Sequence, residues 1–190
     1  MNRGKAAVIS GPSGVGKTTI CGELARDARI EVAVSATTRP PRPGEINGEH
    51  YHFLSRQDFE RKIAAGEMLE CAEILGQYYG SLRAPLESAV AEGLCYILNI
   101  DIQGARLIRE KKIEATFFFI VAPDSGALRA RLEGRSTEGS DDIEKRLKLA
   151  ETEMQEKQRY DHIIINDTVE RAVSEIKKII FPDTQGRAYD

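Results

Sequence analysis

This sequence predicts an α/β fold of three layers, a five-stranded parallel sheet between helices, carrying an inserted small α+β unit and a short lid. Three observations predict it. Short, almost wholly apolar runs recur along the 190 residues. Segments with helical spacing of apolar positions separate them. The first run breaks directly into a glycine-rich loop. Strands apolar on both faces suit a sheet covered by helices on each side.

The first strand is read at residues 6–10, Ala-Ala-Val-Ile-Ser. Gly11-Pro12-Ser13-Gly14-Val15-Gly16-Lys17-Thr18 follows without a gap, and helical spacing takes over through residue 26. Strand, G-x-x-x-x-G-K-T and helix is a phosphate-binding loop in its proper context. Glycines let successive backbone N–H groups turn inward, where they meet phosphate oxygens together with the positive end of the helix. Lys17 then reaches the outer phosphates, Thr18 offers its hydroxyl to Mg²⁺, and Thr19 continues the first turn. The chain is expected to bind a nucleoside triphosphate.

Further strands are expected at residues 31–35, 94–101, 115–122 and 162–166, which with the first make five. Helices are expected at 103–111, 125–133, 140–159 and 168–180. The run Phe117-Phe118-Phe119 belongs to the most apolar strand and reads as core. The tail 182–190 has no periodicity and reads as frayed.

Residues 36–91 break the rhythm, dividing the core into 1–35 and 92–190; they are too many for one crossover loop. Arg39-Pro40-Pro41-Arg42-Pro43-Gly44 is a stiff turn. Residues 51–54 alternate like a strand, and Ser55-Arg56-Gln57-Asp58 spells a capping box before a helix carrying Phe59 and Ile63, which Gly66 stops. Residues 68–75 read as a strand turning at Gly76-Gln77 into Tyr78-Tyr79-Gly80. A small antiparallel sheet is expected here. A second irregular stretch, about 134–146, is polar and bracketed by Arg129, Arg131, Arg135 and Arg146, and reads as the lid.

Composition narrows the function. A net charge of −3 lacks the basic excess of a nucleic-acid surface, so no nucleic-acid polymer is expected as partner. Cys21, Cys71 and Cys95 are odd in number and lack C-x-x-C spacing, which argues against disulfides and zinc and fits a reducing cytoplasm. The apolar stretch behind the basic start is too short for a signal peptide, and no run is long enough to span a membrane. His50 and His52 share a strand face, but no third ligand stands at suitable spacing.

Arg39 and Arg42, with the Tyr51 and Tyr79 hydroxyls nearby, suit a phosphomonoester dianion, because guanidinium forks match its oxygens. A solvated basic turn is the plainer alternative. Glu70 interrupts an apolar strand. A carboxylate accepts from the N1–H and exocyclic amine of guanine together, whereas adenine presents an acceptor at N1 and leaves it repelled. Ser35 is placed to donate to guanine O6. A solvent-facing strand residue is the plainer reading of Glu70.

The loop at 11–18, Ser35-Ala36-Thr37-Thr38-Arg39-Pro40-Pro41-Arg42-Pro43-Gly44-Glu45, Asn47-Gly48-Glu49-His50-Tyr51-His52-Phe53, Tyr78-Tyr79-Gly80-Ser81, Ile100-Asp101-Ile102-Gln103-Gly104, Arg131-Leu132-Glu133-Gly134-Arg135 and Ile165-Asn166-Asp167 together resemble the guanylate kinase family. The resemblance runs in order over nearly the whole chain. It implies transfer of the ATP γ-phosphoryl group to GMP, with dGMP as a further candidate acceptor, and Mg²⁺ as cofactor. It implies that Ser35 and Glu70 read guanine, that Arg39, Arg42, Tyr51, Tyr79 and Ser81 hold the GMP phosphate, and that Asp101 lies on the acceptor side. Gly11, Pro12, Ser13, Gly14, Val15, Gly16, Lys17, Thr18 and Thr19 would hold ATP, with Asn166 and Asp167 on the adenine side. Lys17, Arg42, Arg131, Arg135 and Arg146 would carry the catalysis, with closure excluding water. Neither a monomer nor a homo-oligomer is favoured. One position departs: the family usually has two acidic residues around Ile100, and here Asn99 precedes Asp101. Two competing readings are a kinase of another small acceptor, which Ser35 and Glu70 oppose, and a non-catalytic interaction module, which the intact loop opposes.

Overall fold

The structure is a computed structural model describing residues 4–134 and 140–182. Arg135 and, after Pro182, the expected frayed tail lie outside the described residues.

Five strands form the main sheet in the order β2-β7-β1-β8-β9, all parallel: β1 (Lys5–Ser10), β2 (Ile30–Val32), β7 (Cys95–Asn99), β8 (Ala115–Val121) and β9 (His162–Ile165). β1 is central, with Val8 between Leu98 and Phe117, and nothing from Ala6 to Ser10 meets solvent appreciably. Helices cover both faces. α1 (Lys17–Leu24) and α7 (Val169–Ile180) contribute Ile20, Leu24, Ile176 and Ile180 to one core cluster. α3 (Arg83–Ala91) and α4 (Ile102–Glu110) contribute Leu86, Ala89 and Ile108 to the other. This is the expected three-layer P-loop arrangement. Phe117, Phe118 and Phe119 are core, as expected.

The helix α3 has no counterpart in the sequence reading, although it packs on the main sheet within the stretch read as an insertion. Pro85 sits in its first turn, where a missing N–H costs no helical bond.

A second sheet has the order β4-β3-β6-β5, from β3 (Ala36–Thr37), β4 (His52–Phe53), β5 (Met68–Ile74) and β6 (Gln77–Leu82). It is mixed, not purely antiparallel: β3 pairs β4 in parallel and β6 antiparallel. The long connection between β3 and β4 returns the chain in its starting direction, which only a crossover allows. The strand read at residues 31–35 is also divided. Ala33 N still donates to Ile97 O in the main sheet, at 2.8 Å, whereas Ser35 O already accepts from His52 N at 2.9 Å in the small one.

The β5–β6 turn is centred one residue earlier than expected, on Leu75 and Gly76, with φ of 50° and 76°. Two successive positive φ values match the twist of a tight hairpin, and Leu75 is 99% exposed. Ser55 caps α2 (Arg56–Ala64) by accepting from Asp58 N, and Phe59 packs beneath it against the Tyr78 ring at 5.3 Å. α5 (Ser125–Glu133) and α6 (Ser140–Glu153) complete the chain before β9, and α6 gives way to a 3₁₀ turn over Met154–Arg159. Among the described residues no helix is long and apolar enough to cross a membrane.

Candidate functional site

Both candidate pockets open at the carboxyl ends of the main-sheet strands. The first is the loop between β1 and α1. Gly16 caps α1 with φ 94°, and a Cβ there would lie 2.5 Å from Asn166 Nδ2, so glycine is required on both counts. The first turn of α1 carries no acidic side chain to neutralise its positive end. Lys17 Nζ donates to the carbonyls of Gly11 at 2.6 Å and Pro12 at 2.9 Å, folding over the loop. Thr18 and Thr19 are exposed at the helix start.

The loop is held from beneath. Asn166, at the end of β9 and 2% exposed, donates from Nδ2 to Val15 O at 2.7 Å. Arg131, from α5, donates to Val15 O at 3.3 Å and to Asn166 O at 2.8 Å. Both residues, expected to touch nucleotide, are thus engaged with the loop's own backbone. Asp167 is exposed and pairs with Thr168 N and Arg171. Arg146 is half-buried on α6, and Arg129 ties α5 to α6 through Glu144 at 2.6 Å.

Sequence reasoning missed Glu153, the last residue of α6. Burial pushes its carboxyl pKa up, the Lys17 charge opposes this, and its Oε2 is sealed from solvent without a hydrogen-bond partner. No hydrophobic pattern marks such a residue, since its burial depends on the fold and not on its neighbours in sequence.

The second pocket is a cavity of about 280 Å³ between the two sheets, with Ser35, Tyr51, Glu70, Tyr79, Asn99 and Asp101 among its lining. Glu70 is 4% exposed on β5, so the plainer reading of a solvent-facing residue fails. A register shift between Met68 and Glu70 re-aims the strand there. Burial pushes the Glu70 carboxyl up to about 7; the Ser81 hydroxyl, donating to Oε1 at 2.7 Å, opposes this, and the nearby Asp101 charge adds to it. Asp101 caps α4 by accepting from Gly104 N at 2.7 Å. Gly104 is close-packed against Glu70: a Cβ on it would stand 3.1 Å from Glu70 Oε2.

Ser81 therefore needs correction. Expected with the phosphate-holding arginines, it is 1% exposed and turned to Glu70, because β6 is antiparallel to β5 and pairs the two positions.

Arg39 lies on the rim, its guanidinium 5.5 Å from the centre of the Tyr51 ring, and Tyr51 meets Tyr79 edge-on at 6.2 Å. The threonines before it fix its place: Thr37 Oγ1 donates to Tyr78 O, and Thr38 Oγ1 accepts from Tyr78 N. Its fork is taken by Glu45 at 2.8 and 2.9 Å, which also accepts from Arg42 N at 2.6 Å. The Arg39 hydrogen bonds hold the Glu45 carboxyl down at about 2. Glu45 is a second participant that sequence reasoning did not assign. The Arg42 side chain is exposed. A larger hollow of about 1060 Å³, near Lys5, Glu87 and Glu114, contains no candidate residue and lies at the opposite strand ends.

The comparisons with known proteins agree with this geometry. A sequence profile described as guanylate kinase matches residues 3–183. A guanylate kinase of Symbiobacterium thermophilum is 45% identical over 182 residues, covering 95% of this chain and 86% of that protein. One from Rubrobacter xylanophilus is also 45% identical over 182 residues, covering 95% of each chain. The crystal structure of guanylate kinase from Anaplasma phagocytophilum superposes with a TM-score of 0.75 at 33% identity, over 94% of this chain and 85% of that one. With a phosphate loop on one side, a buried carboxylate on the other and these relatives along nearly the full length, the chain belongs to the guanylate kinase family.

Proposed function

We propose that this chain transfers the γ-phosphoryl group of ATP to GMP, giving ADP and GDP. The observation that carries the reading is Glu70: a carboxylate sealed at the back of a nucleobase-sized cavity and aimed by Ser81. Its acceptor oxygens fit the paired donors of guanine. Ser35 complements it at O6. Because recognition rests on base and phosphate, dGMP is proposed as a second acceptor.

Arg39, Arg42, Tyr51 and Tyr79 receive the GMP phosphate, with Asp101 beside it. The loop from Gly11 to Thr19 receives the ATP phosphates, with the adenine toward Asp167 and Asn166. The acceptor phosphate is an adequate nucleophile, so no general base is needed; positioning and charge stabilisation by Lys17, Arg42, Arg131, Arg135 and Arg146 do the rest. The GMP-binding unit is placed within 36–91 and the lid at about 134–146. Exclusion of water from the cleft keeps the phosphoryl group from hydrolysis.

Mg²⁺ is the proposed cofactor. Thr18 presents a hard hydroxyl oxygen at the start of α1, and no cluster of three metal-ligating side chains occurs among the described residues. That suits a small ion held by one hydroxyl, substrate phosphates and water. When bound, it neutralises charge on the phosphoryl oxygens. We place the reaction in the cytoplasm, where thiols such as Cys21 and Cys95 stay reduced.

The test is ADP release with GMP, AMP, CMP and UMP as acceptors. GMP is expected to be used in strong preference; equal turnover of AMP would overturn the reading.

A further inference from the structure

The bulge in β5 lies immediately before Glu70. Met68 pairs with Leu82 and Glu70 with Ser81, so Leu69 stands between them with no residue opposite it. An extra residue of this kind bends its strand and sets the direction of the side chain that follows. Leu69 itself turns into the core cluster that includes Leu86, Ala105 and Ile108, and is fully buried. The backbone carbonyls on either side of its Cα are held from α4: Lys111 Nζ donates to Leu69 O at 2.8 Å and to Met68 O at 3.4 Å. The donor is charged, which makes the shorter of these a strong bond.

Lys111 caps the carboxyl end of α4 and lies at the surface. Gly104, the residue packed against Glu70 Oε2, stands seven positions earlier, and the fully buried Ile108 lies between them. A spacing of four and then three puts all of them on one face of the helix. That face therefore meets β5 twice, once at the Glu70 carboxylate and once at the backbone behind it. Burial raises the Glu70 pKa, and the Lys111 charge works against it. The proposed reaction makes no use of Lys111.

We propose that Lys111 is a positioning residue for base recognition: by holding the Leu69 and Met68 carbonyls it fixes the bulge and, through it, the aim of the Glu70 carboxylate. The proposal rests on reading Glu70 as the group that receives guanine. Guanine presents two donors side by side, N1–H and the exocyclic amine, so its recognition depends on the angle of the carboxylate as well as on its charge. Inosine monophosphate (IMP) keeps the N1–H and lacks the amine. A Glu70 that has lost its aim therefore loses GMP more than IMP. Lys111 contacts backbone carbonyls and acts through Glu70.

The experiment is steady-state ADP release by the full chain, by Lys111→Met and by Lys111→Arg, with GMP and IMP as acceptors and ATP varied in turn. Methionine keeps the apolar stem without a donor, whereas arginine keeps charge and donors. Lys111→Met is expected to lower the ratio of kcat/KM for GMP over IMP by about tenfold, the worth of one weakened hydrogen bond. The loss should appear in the KM for GMP, with the KM for ATP unchanged, and Lys111→Arg should recover most of it. A helix cap alone would lower the melting temperature and leave the ratio where it was. An unchanged ratio in Lys111→Met, or an equal fall in both variants, overturns the proposal. Should Lys111→Met not fold, Lys111→Ala removes the same donor and is read by the same two outcomes. If wild type shows no preference for GMP over IMP, the reading of Glu70 fails and the proposal with it; if wild type prefers GMP and Lys111→Met keeps that preference, only the role of Lys111 fails.

Discussion

Ser81 and Glu70 face one another across the β5–β6 hairpin, and the Ser81 hydroxyl donates to Glu70 Oε1 at 2.7 Å with neither residue more than 4% exposed. That bond is what supports a charged carboxylate in a site whose burial favours the neutral acid. Ser81→Ala removes the support, so the Glu70 pKa should climb above its present value of about 7. At pH 7 the KM for GMP is expected to rise about tenfold with the KM for ATP unchanged, and the difference should shrink at pH 9, where Glu70 is ionised in both proteins. Steady-state kinetics at the two pH values check this; an equal rise at both would assign Ser81 to packing alone.

The raised carboxyl also has a consequence for stability. Its folded pKa of about 7 exceeds the ordinary 4.5, so the folded protein holds this proton more tightly than the unfolded chain. The associated stability is fully present below about pH 4.5 and is lost as pH rises through 7. Glu70→Gln cannot lose it. The melting temperature of the variant relative to wild type should therefore increase between pH 5 and pH 8, by several degrees, even as GMP use collapses. A difference that stays flat over this range contradicts the assignment.

Gly104→Ala tests the space around Glu70, the proposed guanine reader. The new Cβ would lie 3.1 Å from Glu70 Oε2, 3.3 Å from Ile100 Cβ and 3.4 Å from Asp101 Oδ1. Alanine favours the helix by about 1 kcal/mol, so stability should hold while the KM for GMP rises several-fold. Thermal unfolding beside GMP kinetics separates the effects; an unchanged KM would mean the carboxylate has slack.

Asn166→Ala tests the support of the loop proposed to hold ATP. It leaves Val15 O with the longer Arg131 contact of 3.3 Å as its remaining side-chain bond. A loss of about 1–2 kcal/mol in urea unfolding is expected, together with a higher KM for ATP and an unaltered KM for GMP. Equal damage to both substrates would show a general loosening.

What the sequence made legible was local chemistry. The strand, loop and helix from Lys5 to Leu24 are spelled by adjacent residues, and Ser55 announces α2 through the position of Asp58. What it hid depends on residues far apart. The parallel pairing of β3 with β4 follows from the path of a crossover, which no spacing records. Leu75 at positive φ is not a turn signal, so the hairpin was misplaced by one residue. The partner of Ser81 depends on a bulge between Met68 and Glu70. Asn166 and Arg131 were legible as site residues, but only the fold shows them gripping Val15 from behind.

The passage from Ala33 to Ser35 joins the two sheets with Val34 alone between a bond to Ile97 and a bond to His52. So short a strap would act as a fulcrum: were the small sheet to tilt, Ser35 would travel little and the hairpin tip at Leu75 far. On the proposed reading, the O6 donor would then keep its bearing on the purine while the side of the unit that carries Arg39 swung.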